Sequence, residues 1–180
     1  AAVFAQIRQE QGRLDILVNN AWRGYEGYST GAAWPPNFPF WEKPVSYWDE
    51  NMDGVRWAYV ATCHALKMML GTGEAPVDVG GLIVNLSVSV PDAVNPSYNI
   101  AKNAVDRLAW ETAQMVGLRP VTSVAIYPGL VRTESVLLNA QYFDMSRAES
   151  TEYSGRAIVA LAADPQVKQR DGGVFEVWRL

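Results

Sequence analysis

The sequence of 180 residues has one cysteine and one histidine. Cys63 alone cannot build an internal disulfide framework, and His64 alone makes a zinc site an unattractive reading. Cationic surplus is also missing. Fifteen basic residues face nineteen acidic ones, leaving a net charge of −4. Nothing therefore favours nucleic acid or an anionic membrane as a partner. No uninterrupted apolar run reaches the roughly 18 residues needed to span a bilayer. No basic-then-apolar leader opens the chain, so a cytoplasmic location is expected. Gly80-Gly81 is not followed by Lys-Ser/Thr, which excludes a phosphate-binding P-loop there. The chain opens Ala-Ala-Val-Phe, without methionine, which points to a piece of a longer protein.

What is present is a globular balance, 49% apolar and 19% charged, in a length that suits one domain over 1–180. Four short apolar runs read as strands: Leu14–Val18, Leu82–Leu86, Val121–Tyr127 and Val174–Val177. Continuous runs of this length bounded by turn residues suit strands covered on both faces. Helical patterns alternate with them. Ala2–Glu10 reads as the end of a helix. A second runs from a Ser46 cap to about Leu70, stopped by Gly71 and Gly73. A third opens with Asn95 as cap and Pro96 at its first position. A fourth spans Ser150–Ala163. Strand–helix alternation of this period predicts an α/β fold, a doubly wound parallel sheet of about four strands with flanking helices.

The chemistry concentrates at the ends of those strands. Tyr98 and Lys102 are four residues apart, so on a helix they share a face. A neighbouring cation favours the phenolate, and a phenol so tuned can exchange a proton with a carbonyl or alcohol oxygen. Alone, a Tyr-x-x-x-Lys spacing is weak evidence. Ser87, however, ends the strand LIVNL, Asn19-Asn20-Ala21 ends the preceding strand, and Tyr127–Thr133 (YPGLVRT) follows the next. Asn51 lies in the early turns of the intervening helix. Ligands of open parallel sheets bind outside these carboxyl ends.

In these segments the chain resembles the classical short-chain dehydrogenase/reductases, from Ala2 to about Val177. DILVNNAW is similar to the family's NNAG segment with Trp22 in place of glycine. ENMDGVRW, IVNLS, YNIAK and YPGLVRT resemble the segments bearing its Asn, Ser, Tyr-x-x-x-Lys and Pro-Gly. The long stretch after NNA, with FWEKP, looks closer to the subgroup typified by animal dehydrogenase/reductase member 1. The resemblance implies a Rossmann-like fold and an NAD(P)-dependent oxidoreductase interconverting a carbonyl and an alcohol by hydride transfer. It implies Tyr98 as general acid/base and Lys102 as the group that lowers its pKa and holds the nicotinamide ribose. Ser87 would orient the substrate oxygen, and Asn51 would support Lys102 through a water and a backbone carbonyl. Asn19 and Ala21 would line the cofactor cleft, with Pro128, Gly129, Val131 and Thr133 at the nicotinamide end. The partners implied are a small-molecule carbonyl or alcohol substrate and a second copy of the chain, as a homodimer or homotetramer. No metal is expected.

Two departures stand out. Ser87 and Tyr98 are eleven residues apart, closer than is usual in the family. Ser87 fits best by its place after Val84-Asn85-Leu86. Ser89 is the alternative if the strand end bulges, and Val88 lies where some members carry a second serine. The chain also has no glycine-rich segment for a pyrophosphate, and Gly71-Thr72-Gly73 follows a helix instead of a strand. Roughly the first 70 residues of the family pattern, including the NAD-versus-NADP selector, are expected to be missing. The cofactor is therefore NAD or NADP without a choice between them. This N-terminally truncated, partial Rossmann-like domain is expected to be weak or inactive, with Leu14–Val18 left as an exposed edge. The competing reading is a non-catalytic remnant acting only through a dimer surface. An epimerase or dehydratase of the extended branch shares Tyr-x-x-x-Lys, but the Pro-Gly segment argues against it.

Other residues have plainer explanations. Cys63 and His64, adjacent on a helix, point about 100° apart and cannot act as a nucleophile–base pair. Trp22, Tyr25, Tyr28, Trp34 and Phe38 could wall an apolar substrate site. Glu134–Glu149 is expected to form a lid.

Overall fold

The computed structural model describes residues 2–23, 39–71, 80–88 and 95–180. Four parallel strands form one sheet in sequence order: β1 (Ile16–Asn19), β2 (Gly81–Leu86), β3 (Val121–Tyr127) and β4 (Val174–Glu176). Helix α1 (Ala2–Gln11) precedes β1. Helix α2 (Val45–Met69) connects β1 to β2, α3 (Pro96–Val116) connects β2 to β3, and α4 (Glu134–Leu138) and α5 (Thr151–Ala163) lie between β3 and β4. Parallel neighbours cannot be joined by a tight turn, so each junction needs a crossover, here built on a helix.

The side-chain alternation of β2 and β3 sorts the core into two layers. Leu82 and Val84 of β2 pack with Val124 and Ile126 of β3 beneath Ala157 and Leu161 of α5. Ile83 and Val121 face the other way, against Ala65 and Met69 of α2 and Val116 of α3. Both central strands are covered on both faces, which is why they read as unbroken apolar runs. The register pairs Val18 with Val84 and Val84 with Val124, bringing the three carboxyl ends level.

Boundaries moved where backbone chemistry outweighs apolar pattern. The first strand is Ile16–Asn19, not Leu14–Val18, because Asn19 pairs with Asn85 in the ladder. The last strand stops at Glu176, and Val177 opens a 3₁₀ turn. Helix α2 starts at Val45, before the expected Ser46 cap. Pro44 holds the cap position with φ −58° and no side-chain hydrogen bond. Its fixed φ starts the helix without help from a side chain. Gly71, at φ +62°, follows α2 in the left-handed region, as a terminating glycine does. The expected lid resolves into α4, two 3₁₀ turns (Ala140–Tyr142 and Met145–Arg147) and a bridge pairing Val131 with Glu149. Ser89, Tyr25, Tyr28, Trp34, Phe38, Thr72 and Gly73 lie outside the described residues.

Candidate active site

Helix α3 begins where its sequence says it should. The Asn95 side chain accepts from the Tyr98 N–H, and Pro96 occupies the first helical position. The same Asn95 donates from Nδ2 to the Tyr47 hydroxyl at 2.6 Å, pinning the start of α3 to α2. Asn51 adds a second tie. It is buried, donating from Nδ2 to the Tyr47 carbonyl at 2.7 Å and to Ser97 Oγ at 3.4 Å. Asn51 thus braces Ser97, the residue next to Tyr98, through its side chain.

One turn along α3, Lys102 is only 7% exposed. Its Nζ donates to the Leu86 carbonyl at the end of β2, at 3.1 Å. The ammonium lies 3.7 Å from the centre of the Trp22 ring and 5.6 Å from that of Tyr98. Burial pulls the Lys102 pKa down to about 8, against an opposing pull from Asp106. Trp22 meets Tyr98 edge to face at 5.9 Å between ring centres. The indole rests on Gly54 of α2, where a Cβ would come within 2.5 Å of the ring. Glycine at position 54 is therefore what lets the indole lie over the ammonium. A cation desolvated against an indole face gains attraction from the ring quadrupole.

The remaining expected positions divide. Ser87 follows β2 and is buried, but its hydroxyl turns inward and donates to the Lys102 carbonyl at 3.2 Å. The Asn19 amide donates within the fold. Both Nδ2 protons are engaged, with Thr62 Oγ1 at 3.1 Å and Asn85 Oδ1 at 2.8 Å. Asn85 then donates to the Val124 carbonyl. These amides link α2 and the first three strands just below the rim. Ala21 is exposed beside Trp22. Beyond β3, the Gly129 N–H donates to Glu149 Oε2 at 3.1 Å, and a Cβ on Gly129 would come within 2.8 Å of that carboxylate. Arg132 N–H donates to the Glu149 carbonyl and Glu149 N–H to that of Leu130. This pairing turns the Val131 N–H away from Glu149. Thr133 caps α4 by accepting from Val136 N–H, which leaves its own hydroxyl proton uncommitted to the cap.

Four participants escaped the sequence reading: Asp106, Tyr127, Asn85 and Glu149. Asp106 had a signal, since it follows Lys102 by four residues on the helix. Tyr127, at the end of β3, donates its hydroxyl to Asp106 Oδ2 at 2.6 Å. Burial raises the pKa of Tyr127, and the Asp106 contact adds to it. Burial raises that of Asp106, while the hydrogen bond from Tyr127 and the Lys102 charge pull it back. Cys63 and His64 play no part; His64 stacks on Phe4 at 5.1 Å, far down α2. Among the described residues no cluster of three metal-ligating side chains occurs, and no helix is long and apolar enough to cross a membrane.

A parallel sheet with a Tyr-x-x-x-Lys helix rising from its rim defines a class of dinucleotide-dependent domains, and comparison with known proteins narrows it. The family model for short chain dehydrogenase matches residues 1–141. Dehydrogenase/reductase SDR family member 1 of Mus musculus is 34% identical over 189 residues, which takes in 97% of this chain and 58% of the mouse protein. The Homo sapiens protein of the same name gives 34% over 191 residues, with the same shares. Among solved structures, a 3-oxoacyl-[acyl-carrier protein] reductase from Brucella melitensis in complex with NAD superposes with a TM-score of 0.81. It is 21% identical, over 98% of this chain and 70% of that one. The chain belongs to the short chain dehydrogenase family. It spans 58% of the length of these two curated relatives.

Proposed function

We propose that this chain carries the proton-transfer and nicotinamide-end portion of an NAD(P)-dependent oxidoreductase that interconverts a carbonyl and an alcohol. The observation that carries this reading is the Tyr98–Lys102 pair on one helix, with the ammonium drawn to the carboxyl end of β2 by the Leu86 carbonyl. A bound nicotinamide would supply or accept the hydride at the substrate carbon. The protein's part is the proton and the positioning. In reduction, the Tyr98 hydroxyl gives its proton to the substrate oxygen; in oxidation, the phenolate takes one from the alcohol. The nearby ammonium favours the phenolate in either direction.

The donors present suit the nicotinamide and its ribose. A lysine ammonium has three N–H bonds. One goes to Leu86, and a second remains for a ribose hydroxyl beside the indole. The outward Val131 N–H and the Thr133 hydroxyl suit a carboxamide, and Pro128 and Gly129 suit the ring edge. Among the described residues no glycine-rich turn cradles a pyrophosphate, so cofactor affinity is expected to be weak and activity low. Because Ser87 turns inward, the substrate-oxygen donor is either Ser87 after a rotamer change or Ser89. The substrate is a small molecule met by an aromatic wall that includes Trp22. Assembly as a homodimer or homotetramer would use α2 and α3, where Trp57, Tyr59, Trp110 and Met115 are exposed. The cytoplasm is the expected location.

The test is reduced-nicotinamide absorbance against a carbonyl panel with NADH and NADPH. Tyr98→Phe should lower turnover by about a hundredfold or more, the usual scale for loss of a general acid. The serine that orients the oxygen is whichever alanine variant, at 87 or 89, loses turnover. Unchanged turnover in Tyr98→Phe would remove Tyr98 from the chemistry.

A second reading is a non-catalytic chain acting through the α2–α3 face. It is favoured by the engagement of the Ser87 hydroxyl with the Lys102 carbonyl. Turnover above background in the wild type, lost in Tyr98→Phe, would exclude it.

A further inference from the structure

We propose that Trp22 is a displaceable cover on the Tyr98–Lys102 pair: its indole holds the place that a ribose diol would take on the Lys102 ammonium, so a nicotinamide nucleotide enters by competing with the protein's own ring. The proposal rests on the oxidoreductase reading, since the diol concerned is the one Lys102 would hold.

The geometry carries it. On one side the Lys102 Nζ donates to the Leu86 carbonyl at 3.1 Å. On another the Trp22 ring centre lies 3.7 Å away, and the Tyr98 ring centre is at 5.6 Å. Among these neighbours the lysine side chain is nearly buried. A hydroxyl oxygen bonded to the ammonium must come within about 2.7–3.2 Å of the nitrogen. The indole face fills that approach. The same ring meets Tyr98 edge to face at 5.9 Å, so it covers both members of the pair.

Three features make the cover displaceable. Trp22 stands three residues beyond the end of β1, in neither helix nor strand, so no ladder fixes its backbone. Its neighbour Arg23 meets Asp53 of α2 at 3.7 Å, so the ring can turn about its own side-chain bonds while the chain stays in place. The indole Nε1 is buried with no hydrogen-bond partner among the described residues. A buried donor left in that state is costly, and this offsets part of the attraction between ring and ammonium. Turning out gives the N–H an acceptor in water. On the α2 side the ring rests on Gly54, where any Cβ would collide with it at 2.5 Å. The empty site therefore rests covered, and apparent affinity for the nucleotide is lowered by the fraction of molecules that are covered. A Trp22 acting as a fixed wall would do the opposite, since its removal would weaken binding.

The experiment uses the 180-residue chain and reduced nicotinamide mononucleotide, which brings the nicotinamide and its ribose diol without the adenosine half. The chain has four lysines, Lys43, Lys67, Lys102 and Lys168, so ¹³Cε-lysine NMR follows each one, and Lys102→Met assigns the signal. Nuclei over an aromatic face are shifted upfield, so the Lys102 signal of the wild type should lie upfield. Saturation with the mononucleotide should remove that shift. Trp22→Ala should lack it from the start and bind the mononucleotide about tenfold more tightly, the scale of one cation–π contact no longer in competition. Gly54→Ala keeps the indole but pushes it off its seat, and it should also lose the shift, which guards against a Trp22 variant that fails to fold. A Lys102 signal that is not upfield in the empty wild type, or that stays upfield at saturation, overturns the proposal. So does equal or weaker binding by Trp22→Ala, and these outcomes leave the oxidoreductase reading standing. Absence of binding in both the wild type and Trp22→Ala overturns the ribose-holding role of Lys102 as well, and with it that reading.

Discussion

At the scale of single residues, the site is an exercise in keeping one cation dry. Lys102 loses most of its water and receives a carbonyl and an indole face in exchange. The consequence for stability has a definite sign. Between about 8 in the folded chain and 10.5 for a free lysine, the unfolded chain holds a proton the folded chain has lost. Stability contributed by this group therefore rises with pH through that window, by no more than about 3 kcal/mol. Below pH 8 both states are protonated and the burial cost is fully present. Urea melts at pH 8 and pH 10.5 should show this rise in the wild type and lose it in Lys102→Met. Equal slopes in the two proteins would refute the account. Gly54 makes a second residue-scale prediction. The methyl of Gly54→Ala would collide with the Trp22 ring at 2.5 Å. We expect a loss of about 1–3 kcal/mol, the usual cost of overpacking, with an altered near-ultraviolet circular dichroism spectrum as the indole is displaced.

At the scale of elements, the rim is held by side chains that bond across strand and helix boundaries. The amide of Asn85, fully buried in β2, accepts from Asn19 of β1 and donates toward β3. Asn85→Ala would leave one Asn19 Nδ2 proton without its acceptor, the other still donating to Thr62. A loss of about 2 kcal/mol is expected in equilibrium unfolding, as for other buried groups left unpaired; a neutral effect would show that the amides are independently satisfied. Much of this level was legible beforehand. The Asn95-Pro96 cap, the strand LIVNL and the four-residue spacing of Tyr98 and Lys102 are local, and local preferences decide them. The amide ladder was not legible, because Asn19 and Asn85 are 66 positions apart and only the parallel register makes them neighbours. Ser87 shows the same limit. Its place after the strand could be read, but the direction of its hydroxyl depends on how closely α3 lies against β2.

At the scale of the whole molecule, the four-stranded sheet has β1 at one edge and β4 at the other. Strand β1 is an edge, with Ile16 and Val18 at 41% and 40% exposure. Leu17 points to the opposite face and packs with the α2 layer. An apolar edge strand is a template for association. The chain is therefore expected to self-associate as concentration rises, and Val18→Lys should reduce light scattering while leaving the far-ultraviolet spectrum unchanged. Equal scattering in the two proteins would place the sticky surface elsewhere, with the exposed aromatics of α2 and α3 as the next candidates.

The order of strands and helices, the Tyr98–Lys102 spacing and the poverty in cysteine, histidine and positive charge were settled by the linear chain. Each depends on composition or on neighbours within a helical turn. Only tertiary packing decided that Trp22 lies on Gly54 above the Lys102 ammonium, that Asn51 braces Ser97, and that Asp106 and Tyr127 meet beneath the site. Those contacts join side chains carried on different elements. A buried charge is governed by whatever the fold places within a few ångströms of it, and no spacing along the chain encodes that distance.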